Sequence, residues 1–126
     1  MSGVGDRLSG KRLLVVEDEA FIALMLEELL EGFGCNVVGV AGTLSRGLAM
    51  ANDETLPIDG AVLDINLGGE KVFPVAERLT ARGVPFIFCT GYGADGLPGA
   101  FASVPTLAKP YLEDTLRNTL VSRFAA

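Results

Sequence analysis

Five short apolar runs alternate along this chain with segments of helical periodicity, and this alternation constrains the fold more than any other feature. The runs are LLVVE at 13–17, CNVVGVA at 35–41, GAVLDI at 60–65, PFIFCT at 85–90 and TLA at 106–108. Runs without a polar face are typical of parallel strands that helices cover on both sides. The chain has 126 residues, the size of one domain. The sequence therefore predicts one α/β domain with a five-stranded parallel sheet.

Between the strands, apolar residues recur at steps of three and four, which is typical of one face of a helix. The predicted core-facing positions are Ile22, Met25, Leu26, Leu29 and Phe33 in the first helix, Leu44, Leu48 and Ala51 in the second, Val72, Val75, Ala76 and Leu79 in the third, and Leu112, Leu116 and Leu120 in the last. Gly34 is predicted to cap the first helix, Thr43 to cap the second, and Pro74 to lie in the first turn of the third. Four glycines and two prolines between residues 91 and 105 predict that a fourth helix there is short or frayed.

The order of the strands follows from the handedness of their connections. Right-handed crossovers leave few arrangements, and we predict a doubly wound, flavodoxin-like sheet of order 2-1-3-4-5. Residues 11–124 are expected to form the domain, and residues 1–10 a flexible N-terminus. In such sheets, ligands bind outside the carboxyl ends of the strands, where the strand order reverses. Functional residues are therefore expected after the first and third strands.

Composition excludes several classes of function. The net charge is −6 and no run of Lys or Arg is present, which argues against direct binding of nucleic acid. No apolar run approaches a membrane span, and the polar N-terminus does not resemble a signal peptide, so we expect a cytoplasmic protein. The chain has no histidine, which disfavours zinc or copper sites and histidine triads. Cys35 and Cys89 are expected to be small buried hydrophobes. Carboxylates must therefore supply the chemistry.

Polar residues fall at the carboxyl ends of four predicted strands. They are Glu17 and Asp18 after the first, Asp64 near the end of the third, Thr90 after the fourth and Lys109 after the fifth. Three converging carboxylates raise one another's pKa values unless a cation lies among them. Hard oxygen ligands with room for water suit Mg²⁺. A cis Lys109-Pro110 bond, an isomer that the sequence does not determine, would direct the lysine ammonium inward.

Four segments give the chain a resemblance to a known family. LLVVEDE, VLDINL, FCTGYG and LAKPY match, in order and spacing, the signature segments of response-regulator receiver domains with the CheY-like fold. The resemblance covers about residues 11–124. FCTGYG is also similar to the "FAT GUY" subgroup, many of whose members are free-standing receivers. The resemblance thus implies a stand-alone response regulator of a bacterial two-component system, whose phosphorylated state is recognised by a separate downstream protein.

The resemblance also implies a role for each residue of the constellation. Asp64 would accept a phosphoryl group from phosphohistidine on a sensor histidine kinase or phosphotransfer protein. Mg²⁺ would be held by Asp18, Asp64 and the backbone carbonyl of Asn66, with Glu17 acting through water, while Thr90 and Lys109 contact the phosphoryl group. The protein would catalyse its own phosphorylation and slow dephosphorylation, and otherwise act in signalling. Glu17 is a departure, since the family more often has aspartate there.

Two alternatives remain from the sequence. A flavodoxin-like carrier of flavin or nucleotide requires a glycine-rich loop after the first strand, where this chain has EDEAF. A pseudo-receiver would bind a partner without being phosphorylated. The set of Asp18, Asp64, Thr90 and Lys109 argues against a pseudo-receiver, and Glu17 keeps it open.

Three further positions lead to expectations about partners and switching. Phe21 and Leu24 lie off the main apolar stripe of the first helix, so they are either buried by a broad stripe or exposed for contact with the kinase. Thr106 occupies a position where many receivers have Tyr or Phe, which excludes a rotating aromatic gate. We therefore expect residues 91–103, with few apolar residues to anchor them, to be mobile at rest and ordered by phosphorylation.

Overall fold

A computed structural model of the protein describes residues 7–91 and 97–124. Its strands are β1 (Arg12–Val16), β2 (Asn36–Ala41), β3 (Gly60–Asp64), β4 (Asn66–Leu67), β5 (Glu70–Lys71), β6 (Phe86–Thr90) and β7 (Thr106–Ala108). Five of these form a parallel sheet of order β2-β1-β3-β6-β7, which confirms the predicted order of the five apolar runs. The two short strands β4 and β5 form a separate antiparallel ribbon that the sequence did not predict.

Within the described residues, four α-helices connect or follow these strands. They are α1 (Ala20–Gly32), α2 (Leu44–Asn52), α3 (Phe73–Ala81) and α4 (Glu113–Phe124). The predicted helix ends are confirmed: Gly34 follows α1 at φ +94°, the Thr43 hydroxyl accepts a hydrogen bond from the Arg46 N–H at 3.1 Å, and Pro74 lies in the first turn of α3. Within residues 7–91 and 97–124, no helix has the length and apolar character needed to span a membrane.

The sheet separates two apolar clusters, because alternate residues of each strand point to opposite faces. Leu14 and Val16 of β1 pack with α2 and α3 on one face, whereas Leu13 and Val15 pack with α1 and α4 on the other. All five residues of β3, the central strand, are buried. The core therefore holds the carboxyl ends of β1, β3 and β6 in fixed positions.

Two predicted helix faces need correction. In α1 the buried face is formed by Ala23, Leu26 and Leu30, and the predicted positions Ile22, Met25 and Leu29 are only half-buried beside it. Ala23 offers little apolar surface of its own. The prediction followed the larger apolar residues and therefore placed the core-facing side of α1 one position away from the observed one. Leu112, predicted to face the core, is 70% exposed because it precedes the first residue of α4.

The packed domain begins before residue 11, the boundary that the sequence suggested. Leu8, inside the expected flexible N-terminus, is fully buried against the α1 and α4 side of the sheet. The Gly10 N–H donates to the carbonyl of Gly34 at 2.8 Å. These contacts attach residues 8–10 to the end of α1. The buried side chain of Leu8 also adds to the hydrophobic core.

The segment before β7 is anchored by an aromatic side chain. Between Leu97 and Pro105 the helical structure is one 3-10 turn, Gly99–Phe101, in keeping with the weak fourth helix predicted. Phe101 is buried, and its ring centroid lies 5.7 Å from that of Phe88 and 5.9 Å from those of Phe73 and Phe86. The expectation that few apolar residues anchor residues 91–103 is therefore wrong for the second half of that interval. Residues 92–96, on which the expected disorder-to-order change also depends, lie outside the described residues.

Replacing the anchor tests this packing. Phe101→Ala is expected to lower the free energy of unfolding by about 3 kcal/mol, because it leaves a cavity among three rings. Phe21→Ala, which removes an exposed ring of the same size, should change it by less than about 0.5 kcal/mol. Urea denaturation of the two variants measures both values. Equal effects of the two substitutions would contradict the packing of Phe101.

Candidate functional site

Polar side chains interrupt the apolar core where three parallel strands end. Glu17 follows β1, Asp64 ends β3 and Thr90 ends β6, and these residues are 2%, 5% and 6% exposed. These residues lie close together because of the strand register, which pairs Asp64 with Cys89 and Thr90 with Ala108. Buried carboxylates require a compensating charge or hydrogen bonds.

Lys109, directly after β7, supplies the compensating charge. Its Nζ lies 2.7 Å from Oε1 of Glu17 and 3.0 Å from Oδ2 of Asp64. Its backbone N–H donates to the carbonyl of Thr90 at 3.0 Å, and the Lys109-Pro110 peptide bond is cis. The contact with Asp64 is an aligned hydrogen bond, whereas Oε1 of Glu17 accepts no aligned hydrogen bond within the described residues. The Lys109–Glu17 contact is therefore chiefly electrostatic.

Backbone amides hold the other carboxylate oxygens of the loop after β1. The Glu19 N–H donates to Oε2 of Glu17 at 3.1 Å. The Gly68 N–H, from the turn of the β4–β5 ribbon, donates to Oδ2 of Asp18 at 3.1 Å. Glu17, Asp18 and Glu19 each place one carboxylate oxygen within 4.8 Å of the others. Acidic oxygens thus concentrate at one end of the sheet.

A cavity of about 350 Å³ opens beside these groups. It is lined by Asp18, Glu19, Asp64, Asn66, Gly68, Gly91 and Lys109. Buried Glu17 and Thr90 reach this site through Lys109, Glu17 by the ion pair and Thr90 by its backbone carbonyl. The cavity wall therefore carries several side-chain oxygen atoms that could act as metal ligands, together with one ammonium group.

The electrostatics of the site reflect burial first and pairing second. Burial raises the pKa of Glu17 to about 7, which the contact with Lys109 only partly offsets. Burial also raises the pKa of Asp64, again against the influence of Lys109. The pKa of Lys109 lies above its usual value, because its two carboxylate partners outweigh the opposing effect of its own burial. Burial thus opposes full ionisation of Glu17 and Asp64, and Lys109 alone does not restore their usual pKa values.

The structure brings together the residues that the sequence singled out. Asp18, Asp64, Asn66 and Lys109 line one cavity, and Glu17 and Thr90 adjoin it. Sequence reasoning missed the ion pair between Glu17 and Lys109, and the amide of Gly68 at Asp18. It also missed Glu19, although the acidic run EDE at 17–19 was a signal for it.

A curated protein is similar to most of this chain. No protein-family model matches the chain. The phyllosphere-induced regulator PhyR of Methylorubrum extorquens is 39% identical over 103 residues, which are 79% of this chain. The chain spans 38% of the length of that relative. The match therefore concerns one part of the longer regulator.

Solved structures extend the comparison over nearly the whole chain. The solution structure of SdrG from Sphingomonas melonis Fr1 is 43% identical, with a TM-score of 0.78 over 90% of this chain and 95% of that one. The BeF3-activated conformation of SdrG from Pseudomonas melonis Fr1 is 41% identical, with a TM-score of 0.73 over 97% and 98%. The REC domain of the response regulator PhyR from Erythrobacter litoralis is 27% identical, with a TM-score of 0.78 over 91% and 90%. Together with the fold and the four sequence segments, these likenesses establish that the chain belongs to the response-regulator receiver domains.

Proposed function

We propose that the protein is a phosphorylation switch in which Asp64 accepts a phosphoryl group from a phosphohistidine of a sensor kinase or phosphotransfer protein. The observation that best supports this is the Asp64 carboxylate, buried at the end of β3 yet open to an oxygen-rich cavity. A carboxylate at such a position is available as a nucleophile. The existence of a BeF3-activated conformation of SdrG supports the same chemistry here.

The transfer requires positioning and charge neutralisation more than proton transfer. Lys109 holds Oδ2 of Asp64, so Oδ1 is the oxygen that attacks phosphorus. The new P–O bond forms as the P–N bond to the partner's imidazole breaks, and the imidazole leaves with that electron pair. Lys109 and the Thr90 hydroxyl then contact the phosphoryl oxygens, which neutralises part of their charge.

The donor set fits Mg²⁺, with Asp18, Asp64 and the backbone carbonyl of Asn66 as ligands and Glu17 acting through water. All of these donors are oxygens, and Oε1 of Glu17 has spare hydrogen-bonding capacity. Asn66 lies in β4 opposite Lys71 of β5, and it lines the cavity beside Asp18 and Asp64. Bound Mg²⁺ would offset the carboxylates and the incoming phosphoryl oxygens.

Neither alternative function has comparable support. A flavodoxin-like cofactor binder would need phosphate-binding amides after β1, where Glu17, Asp18 and Glu19 instead crowd their carboxylates. A pseudo-receiver would not need the pairing of Lys109 with Asp64. The phosphorylation experiment below separates the pseudo-receiver from the proposed switch.

The α1 surface beside the cavity is the proposed contact for the kinase. Phe21 and Leu24 are 81% and 55% exposed, so the interpretation that a broad stripe buries them is wrong. A groove of about 420 Å³ runs between α1 and the Pro110–Tyr111 loop. Lys109 lines both this groove and the cavity beside Asp64. A partner helix in this groove would present its phosphohistidine to Asp64.

The central test is phosphorylation by a small donor. Incubation with acetyl phosphate and Mg²⁺ is expected to add one phosphoryl group to the wild type and none to Asp64→Ala. Intact-protein mass spectrometry measures the adduct. Asp114→Ala, which removes an exposed carboxylate of α4, should be modified as the wild type is. An adduct that persists in Asp64→Ala would contradict the proposal.

The raised pKa of Glu17 predicts how stability depends on pH without Mg²⁺. Between about pH 5 and pH 7, the folded state keeps a proton on Glu17 that the unfolded chain has lost, so the free energy of unfolding should fall by on the order of 1 kcal/mol as the pH rises. Glu17→Gln should flatten this dependence, and Glu113→Gln on the exposed face of α4 should not. Denaturant titrations at several pH values measure the slope. A rise in the free energy of unfolding of the wild type over this pH interval would contradict the raised pKa of Glu17.

The kinase contact makes a separate prediction. Phe21→Ala should slow phosphotransfer from a histidine-phosphorylated kinase domain about tenfold, because a central aromatic contact is lost. Its phosphorylation by acetyl phosphate should be unchanged, since that donor needs no docking surface. Val40→Ala, an exposed apolar position on the edge strand β2, is the control and should transfer normally. Normal transfer to Phe21→Ala would place the contact elsewhere.

A further inference from the structure

The β4–β5 ribbon follows Asp64 directly and has a two-residue turn. Asn66 pairs with Lys71 and Leu67 with Glu70, which leaves Gly68 and Gly69 at the tip. Both glycines have positive φ angles, +61° and +97°, as the tight turns of hairpins require. A Cβ atom added at either glycine would meet nothing within 4 Å. The backbone conformation, and not a lack of space, therefore favours glycine at these positions.

The base of the ribbon is fixed to the core. The Ile65 N–H donates to the Cys89 carbonyl of β6 at 3.0 Å, and the Val72 N–H donates to the Ile65 carbonyl at 2.9 Å. Ile65, Leu67 and Val72 are buried in the cluster shared with α2 and α3. The tip therefore has a defined position relative to the sheet.

The tip contacts a side chain that would otherwise be free to turn away. Asp18 is exposed and lies close to the carboxylates of Glu17 and Glu19, which repel it. The Gly68 N–H holds Oδ2 of Asp18 at 3.1 Å, across 50 residues of sequence. A second bond, from the Gly69 N–H to Oδ1 of Asn66 at 3.0 Å, fixes the turn itself. This bond uses one of the two carboxylate oxygens of Asp18, and Oδ1 is the other.

We propose that the β4–β5 ribbon is a positioning element for the metal site, in which the Gly68 amide orients Asp18 so that its Oδ1 faces the cation. This inference rests on the proposed function, because it assumes that Asp18 and the Asn66 carbonyl bind Mg²⁺. One rigid ribbon then sets two ligands: it supplies the Asn66 carbonyl and it orients Asp18. Such outer partners of metal ligands strengthen binding without touching the metal.

Substitution of Gly68 tests the proposal through Mg²⁺ affinity. Gly68→Val forces a β-branched residue into positive φ and displaces the amide, so the dissociation constant for Mg²⁺ should rise about tenfold. Gly68→Asn, which tolerates positive φ, should stay within about twofold of the wild type. Gly83→Val is the matched control, because Gly83 has φ +73° and open space at the opposite end of the sheet. Calorimetric titration with Mg²⁺ alone gives the affinities.

Two further readouts separate positioning from a loss of stability. At saturating Mg²⁺, phosphorylation of Gly68→Val by acetyl phosphate should return to the wild-type rate, since only metal affinity is impaired. In the metal-free protein, the Gly68 amide proton resonance should shift upfield in Asp18→Ala, because its charged acceptor is removed. Wild-type affinity in Gly68→Val, equal weakening in Gly83→Val, or an unmoved Gly68 resonance would overturn the positioning role alone. A wild type that binds no Mg²⁺ would overturn the proposed function and this inference with it.

Discussion

Lys109 shares its ammonium group between two buried carboxylates, 2.7 Å from Glu17 and 3.0 Å from Asp64, and the rest of the site depends on this sharing. Neither carboxylate could remain ionised in the apolar interior without a partner. One positive charge serves two carboxylates, and burial, which Lys109 only partly offsets, raises the pKa values of both acids. The site is therefore held together by Lys109 and still attracts a further cation.

This charge imbalance links the fold to the proposed chemistry. A bound divalent cation would favour the ionised form of Glu17 and weaken the attraction between Lys109 and its two carboxylate partners. Lys109 would then be available to a phosphoryl group. Because the Lys109 N–H donates to the Thr90 carbonyl, the backbone of Lys109 is linked directly to the end of β6. Phe101, in the described residues just before β7, packs against the rings of Phe86 and Phe88 in β6 and so constrains any movement of that part of the chain.

Much of the fold could be predicted from the sequence because the apolar runs are short and have no polar face. Such runs admit few arrangements once crossovers are right-handed, and the ends of the runs located Glu17, Asp64, Thr90 and Lys109. The convergence of these residues is a consequence of topology, since parallel strands bring their carboxyl ends to one edge.

What the sequence did not predict depends on interactions between distant residues. The β4–β5 ribbon consists of two-residue strands, too short to show a period. The Gly68 group that binds Asp18 is a backbone N–H, and a backbone contact cannot be recognised from the pattern of side chains in the sequence. The buried face of α1 was misplaced because Ala23 packs closely while adding little hydrophobicity. Leu8 was missed because a single apolar residue in a polar terminus has no periodic neighbours.

The most direct test of the account is chemical identification of the phosphorylated residue. The protein would be treated with acetyl phosphate and Mg²⁺ and then reduced with borohydride, which converts an aspartyl phosphate to homoserine. Peptide sequencing by tandem mass spectrometry locates that residue. The account predicts homoserine at position 64 alone. Homoserine at position 18, at another carboxylate, or at none would contradict the claim that Asp64 is the phosphoryl acceptor.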